Sequence, residues 1–195
     1  TGGAGFIGSN YVHYLLMEKS DRVITLDSLT YAGSLGNLDT ALDHPRHKFI
    51  EGNICDSELV SDIIEDVDAV VNFAAESHVD RSIDGSKPFV RSNIEGTQTL
   101  LDASVTTDID RFVQISTDEV YGHILDGKFS ESDPLDPRNP YAATKAAADH
   151  LVNSYHITHD LPVVITRSSN NFGPRQHSEK LIPKFIKQAM NGKDL

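Results

Sequence analysis

The chain opens on Thr1-Gly2-Gly3-Ala4-Gly5-Phe6-Ile7-Gly8, and the fold is decided by how its glycines are spaced. They satisfy both G-x-x-G-x-x-G (Gly2, Gly5, Gly8) and G-x-G-x-x-G (Gly3, Gly5, Gly8). Such a turn between a strand and a helix lets the backbone approach a pyrophosphate and aims the first helical amides at the anion, so Phe6 and Ile7 join the glycines as candidate contacts. Alone, the pattern is weak. Its strength comes from the next 20 or so residues: apolar positions at helical spacing predict a helix over Phe6–Lys19, and the run Arg22–Leu26 ends in Asp27, about 20 residues on, where a carboxylate takes ribose hydroxyls. A carboxylate there repels a 2′-phosphate, so the expected cofactor is NAD rather than NADP. The competing reading is a Gly-rich turn with an ordinary strand-end Asp.

Working outward, short β-branched runs alternate with stretches of helical period, which is the signature of βαβ units. Strands are predicted at Arg22–Leu26, Lys48–Glu51, Ala69–Asn72, Arg111–Ser116 and Val163–Arg167. Helices are predicted at Phe6–Lys19, Ser57–Asp66, Pro88–Val105, Tyr141–His159 and Leu181–Asn191. Pro88 suits a first helical turn, where its missing N–H has no partner to lose. Asp56 stands where an N-cap accepts free amides. The fold class expected is α/β, a Rossmann-like doubly wound parallel sheet. Residues 1–168 are read as the NAD-binding and catalytic domain and residues 169–195 as the start of an incomplete substrate-binding region. A glycine turn of this kind normally follows a strand, and here only Thr1 precedes it; the chain is therefore read as a fragment, lacking the first strand and a C-terminal domain and expected not to turn over alone.

Composition narrows the function. With 17 basic and 29 acidic residues, the net charge is −12, which argues against a nucleic-acid surface or an anionic-membrane anchor. One cysteine, Cys55, permits neither an internal disulfide nor a Cys-based zinc site and fits a reducing compartment, so a cytoplasmic location is expected. No run of about 18 apolar residues occurs.

Further candidates end the predicted strands. Asn53-Ile54 can meet an adenine edge, although Asn53 equally suits a simple turn. Asn72-Phe73-Ala74-Ala75 closes the next strand, with Phe73, Ala74 and Ala75 leaving room on the pyrophosphate side. Ser116-Thr117-Asp118-Glu119 comes directly after another strand, at the carboxyl end where parallel sheets bind ligands. Two adjacent carboxyl groups there can do opposite jobs if their surroundings push their pKa values apart. A capped, solvated turn is the bland alternative. Tyr141-Ala142-Ala143-Thr144-Lys145 puts a phenol and an ammonium one helical turn apart on one face. A phenol is a poor base at neutral pH unless a cation favours its phenolate, and Lys145 can supply that. The pair can then take a proton from a substrate hydroxyl while hydride leaves the same carbon.

With these residues in place, the sequence resembles the extended short-chain dehydrogenase/reductase family and, within it, the dTDP-glucose 4,6-dehydratases. The likeness runs through Gly2–Asn10, Asp27-Ser28-Leu29-Thr30-Tyr31-Ala32-Gly33, Ala74–Ser82 (AAESHVDRS), Ser116–Gly122, Tyr141–Lys145, Ser169–Pro174 and Glu179–Pro183. The Thr-Asp-Glu triplet and Glu-Ser-His-Val-Asp-Arg-Ser select the dehydratase. The resemblance implies NAD contacts at Asp27, Ser28, Thr30, Asn53, Ile54, Phe73, Ala74, Ala75, Ser116, Tyr141 and Lys145, and an internal redox cycle on a dTDP-hexose. Tyr141, helped by Lys145 and with Thr117 on the same oxygen, would deprotonate the C4 hydroxyl; Glu119 would take the C5 proton and Asp118 protonate the departing C6 hydroxyl. Asn170, Lys180 and Leu181 fall on the nucleotide diphosphate side, and Ser77 and His78 near the substrate, though His78 equally suits a surface. No metal is needed, and a homodimer is implied. The sequence departs from the family at Asn53, where Asp is frequent.

Two rival classes share parts of this pattern. A nucleotide-sugar 4-epimerase or decarboxylase has the glycine turn and the Tyr/Lys pair but needs no acid and base at C5 and C6. A GDP-mannose-type dehydratase has those but generally uses NADP, against which Asp27 argues. A non-catalytic NAD-binding module would have no use for Thr117, Asp118, Glu119, Tyr141 and Lys145 together.

Overall fold

The computed structural model describes residues 1–194; Leu195, the last residue of the expected 169–195 region, lies outside them. The chain divides into two compact units: Thr1 with Gly52–Ser169, and Gly2–Glu51 with the stretch from Asn170 onward.

In the second unit, helix α1 (Phe6–Glu18) is followed by strand β1 (Val23–Asp27), which pairs in parallel with β2 (His47–Glu51), Val23 opposite His47 and Asp27 opposite Glu51. Ala4, Val12 and Leu16 from the turn and α1 pack with Leu38 and Ala41, and Val23, Leu29 and Phe49 close over them. Arg46 fixes the way from helix to strand, its guanidinium donating to the carbonyls of Leu16, Lys19 and Asp21, groups that a helix C-terminus leaves without partners. Helix α7 (Leu181–Met190) closes the described chain and buries none of its residues.

The other unit holds a parallel sheet in the order β3-β4-β5: Ala69–Asn72, Arg111–Thr117 and Val163–Ser168. Around it come α2 (Ser57–Ile64), α3 (Val79–Asp84), α4 (Lys87–Phe89), α5 (Gly96–Thr106) and α6 (Pro140–His159). Phe112, Leu101, Val120 and Val152 are fully buried. So are two amides, and they pair with each other: Asn72 Nδ2 donates to Gln114 Oε1 at 2.9 Å and to Thr97 Oγ1 at 3.2 Å, which removes most of the cost of burying them.

Each of the five expected strands is present to within one residue at either end. Asp56 caps α2 as expected, its carboxylate accepting from the Leu59 amide at 3.2 Å. The single helix expected over Pro88–Val105 is instead three pieces. Pro88 does sit in a first turn, but Val90–Glu95 is wound as a π-helix before α5 begins. Hydrophobic period does not resolve that extra residue in a turn. The short α3 is also absent from the sequence reading, because six residues carry too little periodicity. Among the described residues no helix is long and apolar enough to cross a membrane.

Candidate active site

The glycine turn is organised by its own backbone. Gly2 adopts a positive φ of 64° and donates its amide to Leu26 O at 2.9 Å, so the turn starts at the end of β1. A Cβ on Gly8 would stand 2.3 Å from the Gly2 carbonyl oxygen, closer than any side chain can come. Gly5 is the N-cap of α1, and no side chain caps the helix there, leaving the amides of the first turn, Phe6 and Ile7 among them, for a ligand to satisfy.

Asp27 is nearly buried at the end of β1. One carboxylate oxygen accepts from the Ala4 amide at 2.9 Å and the other from the Leu29 amide, also at 2.9 Å. It therefore ties the glycine turn to the loop after β1 while keeping lone pairs free. Ser28 and Thr30 are exposed on that loop, and Leu29 between them has a φ of 48°. In the same unit, Asn10 of α1 holds the later chain: its Nδ2 donates to Pro174 O at 3.1 Å and its Oδ1 accepts from Arg175 at 3.0 Å. Asn170 is exposed, Lys180 is the residue before α7, and Leu181 opens that helix, largely exposed.

The catalytic candidates fall in the other unit and meet there. Tyr141 opens α6 beside the end of β4. Its phenol hydrogen-bonds Thr117, and burial with the charge of Glu119 pushes it up to about 12, Asp118 and Asp149 adding to the rise and the Thr117 bond opposing it. Thr117 Oγ1 also accepts from the Glu119 amide at 3.2 Å, starting the 3-10 turn Asp118–Tyr121. Lys145, one turn along α6, is buried and donates to the Ile115 carbonyl at 2.5 Å. Burial brings its ammonium down to about 8, and Asp149 resists that fall. Ser116, buried, donates to Asp149 at 3.0 Å.

Of the remaining candidates in this unit, Phe73 and Ala74 donate their amides to Thr1 O and Oγ1 at 3.2 and 3.3 Å. Ala75 is half-buried, Ser77 is exposed, and His78 is the N-cap residue of α3. Asn53 forms a turn, its Oδ1 accepting from the Cys55 amide at 2.9 Å; Ile54 is buried against the start of α5.

Three positioning residues escaped the sequence reading. Asn139 caps α6, its Oδ1 accepting from Ala142 at 2.8 Å, while its Nδ2 donates to Glu119 Oε2 at 3.0 Å; the signal available was Asn before Pro140, an N-cap followed by N1 proline. Ser82 accepts the Tyr141 amide at 3.2 Å. Asn93, inside the π segment, takes both backbone groups of Glu76, accepting from N at 2.9 Å and donating to O at 3.0 Å, and donates to Thr144 Oγ1 at 2.9 Å. Nothing in the local sequence marks Ser82 or Asn93, whose partners lie far off along the chain.

Comparison with known proteins finds a match to the model of the GDP-mannose 4,6 dehydratase family over residues 1–195. Low-salt glycan biosynthesis protein Agl12 of Haloferax volcanii is 69% identical over all of this chain and 63% of its own length. A dTDP-glucose 4,6-dehydratase of Actinoplanes sp. is 49% identical, again over all of this chain and 63% of its own length. Among solved structures, DesIV, a dTDP-glucose 4,6-dehydratase from Streptomyces venezuelae with NAD bound, superposes with a TM-score of 0.96 at 51% identity, covering 100% of this chain and 62% of that one. The chain thus spans less than two thirds of the length of these relatives, and its Rossmann-like α/β fold is the one they share.

Proposed function

Since the chain belongs to the family described as GDP-mannose 4,6 dehydratase, we propose that it is the cofactor-binding and catalytic part of an enzyme that converts dTDP-glucose to dTDP-4-keto-6-deoxyglucose with NAD. The observation that carries this reading is the company Tyr141 keeps: Thr117 on its hydroxyl, with the carboxylates of Asp118 and Glu119 close enough to act on its ionisation. A base with one hydroxyl partner would serve an oxidation alone. Two further carboxyl groups beside it suit an oxidation followed by loss of water.

NAD fits the second unit. The space where a Gly8 Cβ would collide and the uncapped start of α1 suit a pyrophosphate, and the Asp27 carboxylate, fixed by two amides, suits ribose hydroxyls and not a 2′-phosphate. When bound, NAD would accept the hydride from C4 and return it to C6. The chain's own residues do the rest. Thr117 holds the C4 oxygen and Tyr141 takes its proton, with Lys145 as the cation that makes a buried phenol a usable base. The C4 ketone acidifies the hydrogen on C5, which is why oxidation comes first. Glu119, steadied by Asn139, removes that proton, and Asp118 gives one to the C6 hydroxyl as water departs. Ser77, His78, Asn170, Lys180 and Leu181 serve the sugar and diphosphate, with residues 169–195 beginning the substrate-binding region. The complete protein is read as a cytoplasmic homodimer.

The test is the whole protein given dTDP-glucose and NAD in heavy water. The expected product is the 4-keto-6-deoxy sugar carrying solvent deuterium at C5. Product without that label, or a C4 epimer in its place, would overturn the reading.

A further inference from the structure

One buried carboxylate takes no part in the chemistry above. Asp149 lies on α6, one turn beyond Lys145 and two beyond Tyr141, and is 1% exposed. Its Oδ2 accepts from two directions: from Ser116 Oγ at 3.0 Å and from Arg167 Nε of β5 at 2.9 Å. Arg167 passes the contact on, its NH1 donating to the Tyr121 hydroxyl at 2.7 Å while its guanidinium lies over the Tyr121 ring, 5.0 Å from the centroid. Tyr121 is itself held by a stacked Phe129 at 5.2 Å. Ser116 is the residue before Thr117, and Tyr121 ends the turn that carries Asp118 and Glu119. The whole run of reacting side chains is therefore pinned at its first and last residues, and both pins lead to the same carboxylate.

We propose that Asp149 is a positioning residue that, through Ser116 at one end and the Arg167–Tyr121 pair at the other, locks the segment Ser116–Tyr121 in place against the helical turn carrying Tyr141 and Lys145. This rests on the reading of Thr117, Asp118, Glu119 and Tyr141 as the reacting groups. The geometry is economical for that purpose. A stability role alone would be served as well by apolar residues, since a buried ion pair is seldom a net gain over them. Here the pair is spent on orientation: Arg167 presents a planar, forked donor that fixes direction as well as distance. The Oδ1 atom of Asp149 has no hydrogen-bond partner among the described residues, so part of the charge is left to act on Lys145, and it does raise that ammonium against the effect of burial. Burial pushes the Asp149 carboxyl up, while Arg167 and Ser116 draw it back.

The experiment is a double-mutant cycle in the whole protein, with Asp149→Asn, Tyr121→Phe and their combination. Steady-state rates are read with dTDP-glucose, and amide hydrogen exchange is read over residues 118–121. Asp149→Asn is expected to lower kcat by about tenfold to a hundredfold, the scale of a misplaced reacting group, with KM and NAD affinity within about twofold. Tyr121→Phe, which keeps the ring stack and loses only the hydroxyl, is expected to lower kcat about threefold alone and by a negligible factor in the Asp149→Asn background, because both act through one chain of contacts. Exchange at 118–121 should quicken in each single variant. Independent, multiplying effects on kcat would overturn the inference, as would unchanged exchange or an unchanged kcat with faster exchange. Should Asp149→Asn fail to fold, Tyr121→Phe decides through kcat and exchange together. If the unmodified protein makes no keto sugar from dTDP-glucose, the functional reading falls, and the exchange comparison alone decides whether the segment is held this way.

Discussion

In the unit that begins at Gly2, the groups offered to a ligand are main-chain amides and one carboxylate, Asp27, which is itself fixed by two amides. In the unit that holds Tyr141, they are side chains, and other side chains hold them: Thr117 on Tyr141, Asn139 on Glu119, Asp149 on Ser116. A phosphate is large, symmetric and always charged, so a row of backbone dipoles suffices to bind it. Moving protons between chosen atoms needs groups placed to fractions of an ångström, and that placement comes from long-range contacts between buried polar side chains. The first kind of site depends on backbone shape and the second on a network.

The contrast can be attacked from either side. The largest effect is expected from Tyr141→Phe in the whole protein, a fall in kcat of about 10²–10⁴ with NAD affinity held; loss of NAD binding in step with rate would merge the two sites into one. Gly8→Ala strikes the backbone side. Its Cβ cannot coexist with the Gly2 carbonyl at 2.3 Å, so calorimetry should show NAD affinity down by about tenfold or more as the turn shifts. Next comes the buried ammonium. Lys145 titrates near 8 in the folded chain against an ordinary 10.5, so between those values the unfolded chain binds a proton that the native one does not, and stability rises with pH. Urea unfolding at pH values between about 8 and 10 should show that rise, and Lys145→Met should abolish it; an identical slope in the variant would refute the assignment. The smallest effect belongs to Asn139→Ala, which removes the α6 cap and should cost about 1 kcal/mol. Because Asn139 also holds Glu119, the rate should fall further than the lost stability accounts for, and a rate unchanged at full folding would show that Glu119 needs no such support.

This division also explains what could be read from the residues alone. Strands Ala69–Asn72 and Arg111–Thr117 announce themselves because burial on both faces demands continuous apolar and β-branched runs. The Gly2–Gly8 turn is legible because each glycine answers a local demand of the backbone. Tyr141 and Lys145 are legible by their spacing, and Asp118 and Glu119 by their place at a strand's end. Asn93, Ser82 and Asp149 were not, since their roles depend on partners 17 to 59 residues away, and pairings across that distance leave no trace in a single sequence. The π segment was hidden for a related reason: one added residue in a turn leaves the hydrophobic pattern nearly unchanged.

That added residue sets a limit on how this stretch can vary. An α-helix advances about 100° per residue, so deleting any one position in Val90–Glu95 would let the helix relax to ordinary winding and swing every later side chain by that angle. Asn93 or the residues beyond it would then face the wrong neighbours, and the Glu76 loop would lose its clip. Length, more than composition, is what this stretch has to preserve: substitutions on its outer face should pass quietly, while a one-codon deletion, favourable by helix geometry alone, should be among the least tolerated changes in the chain.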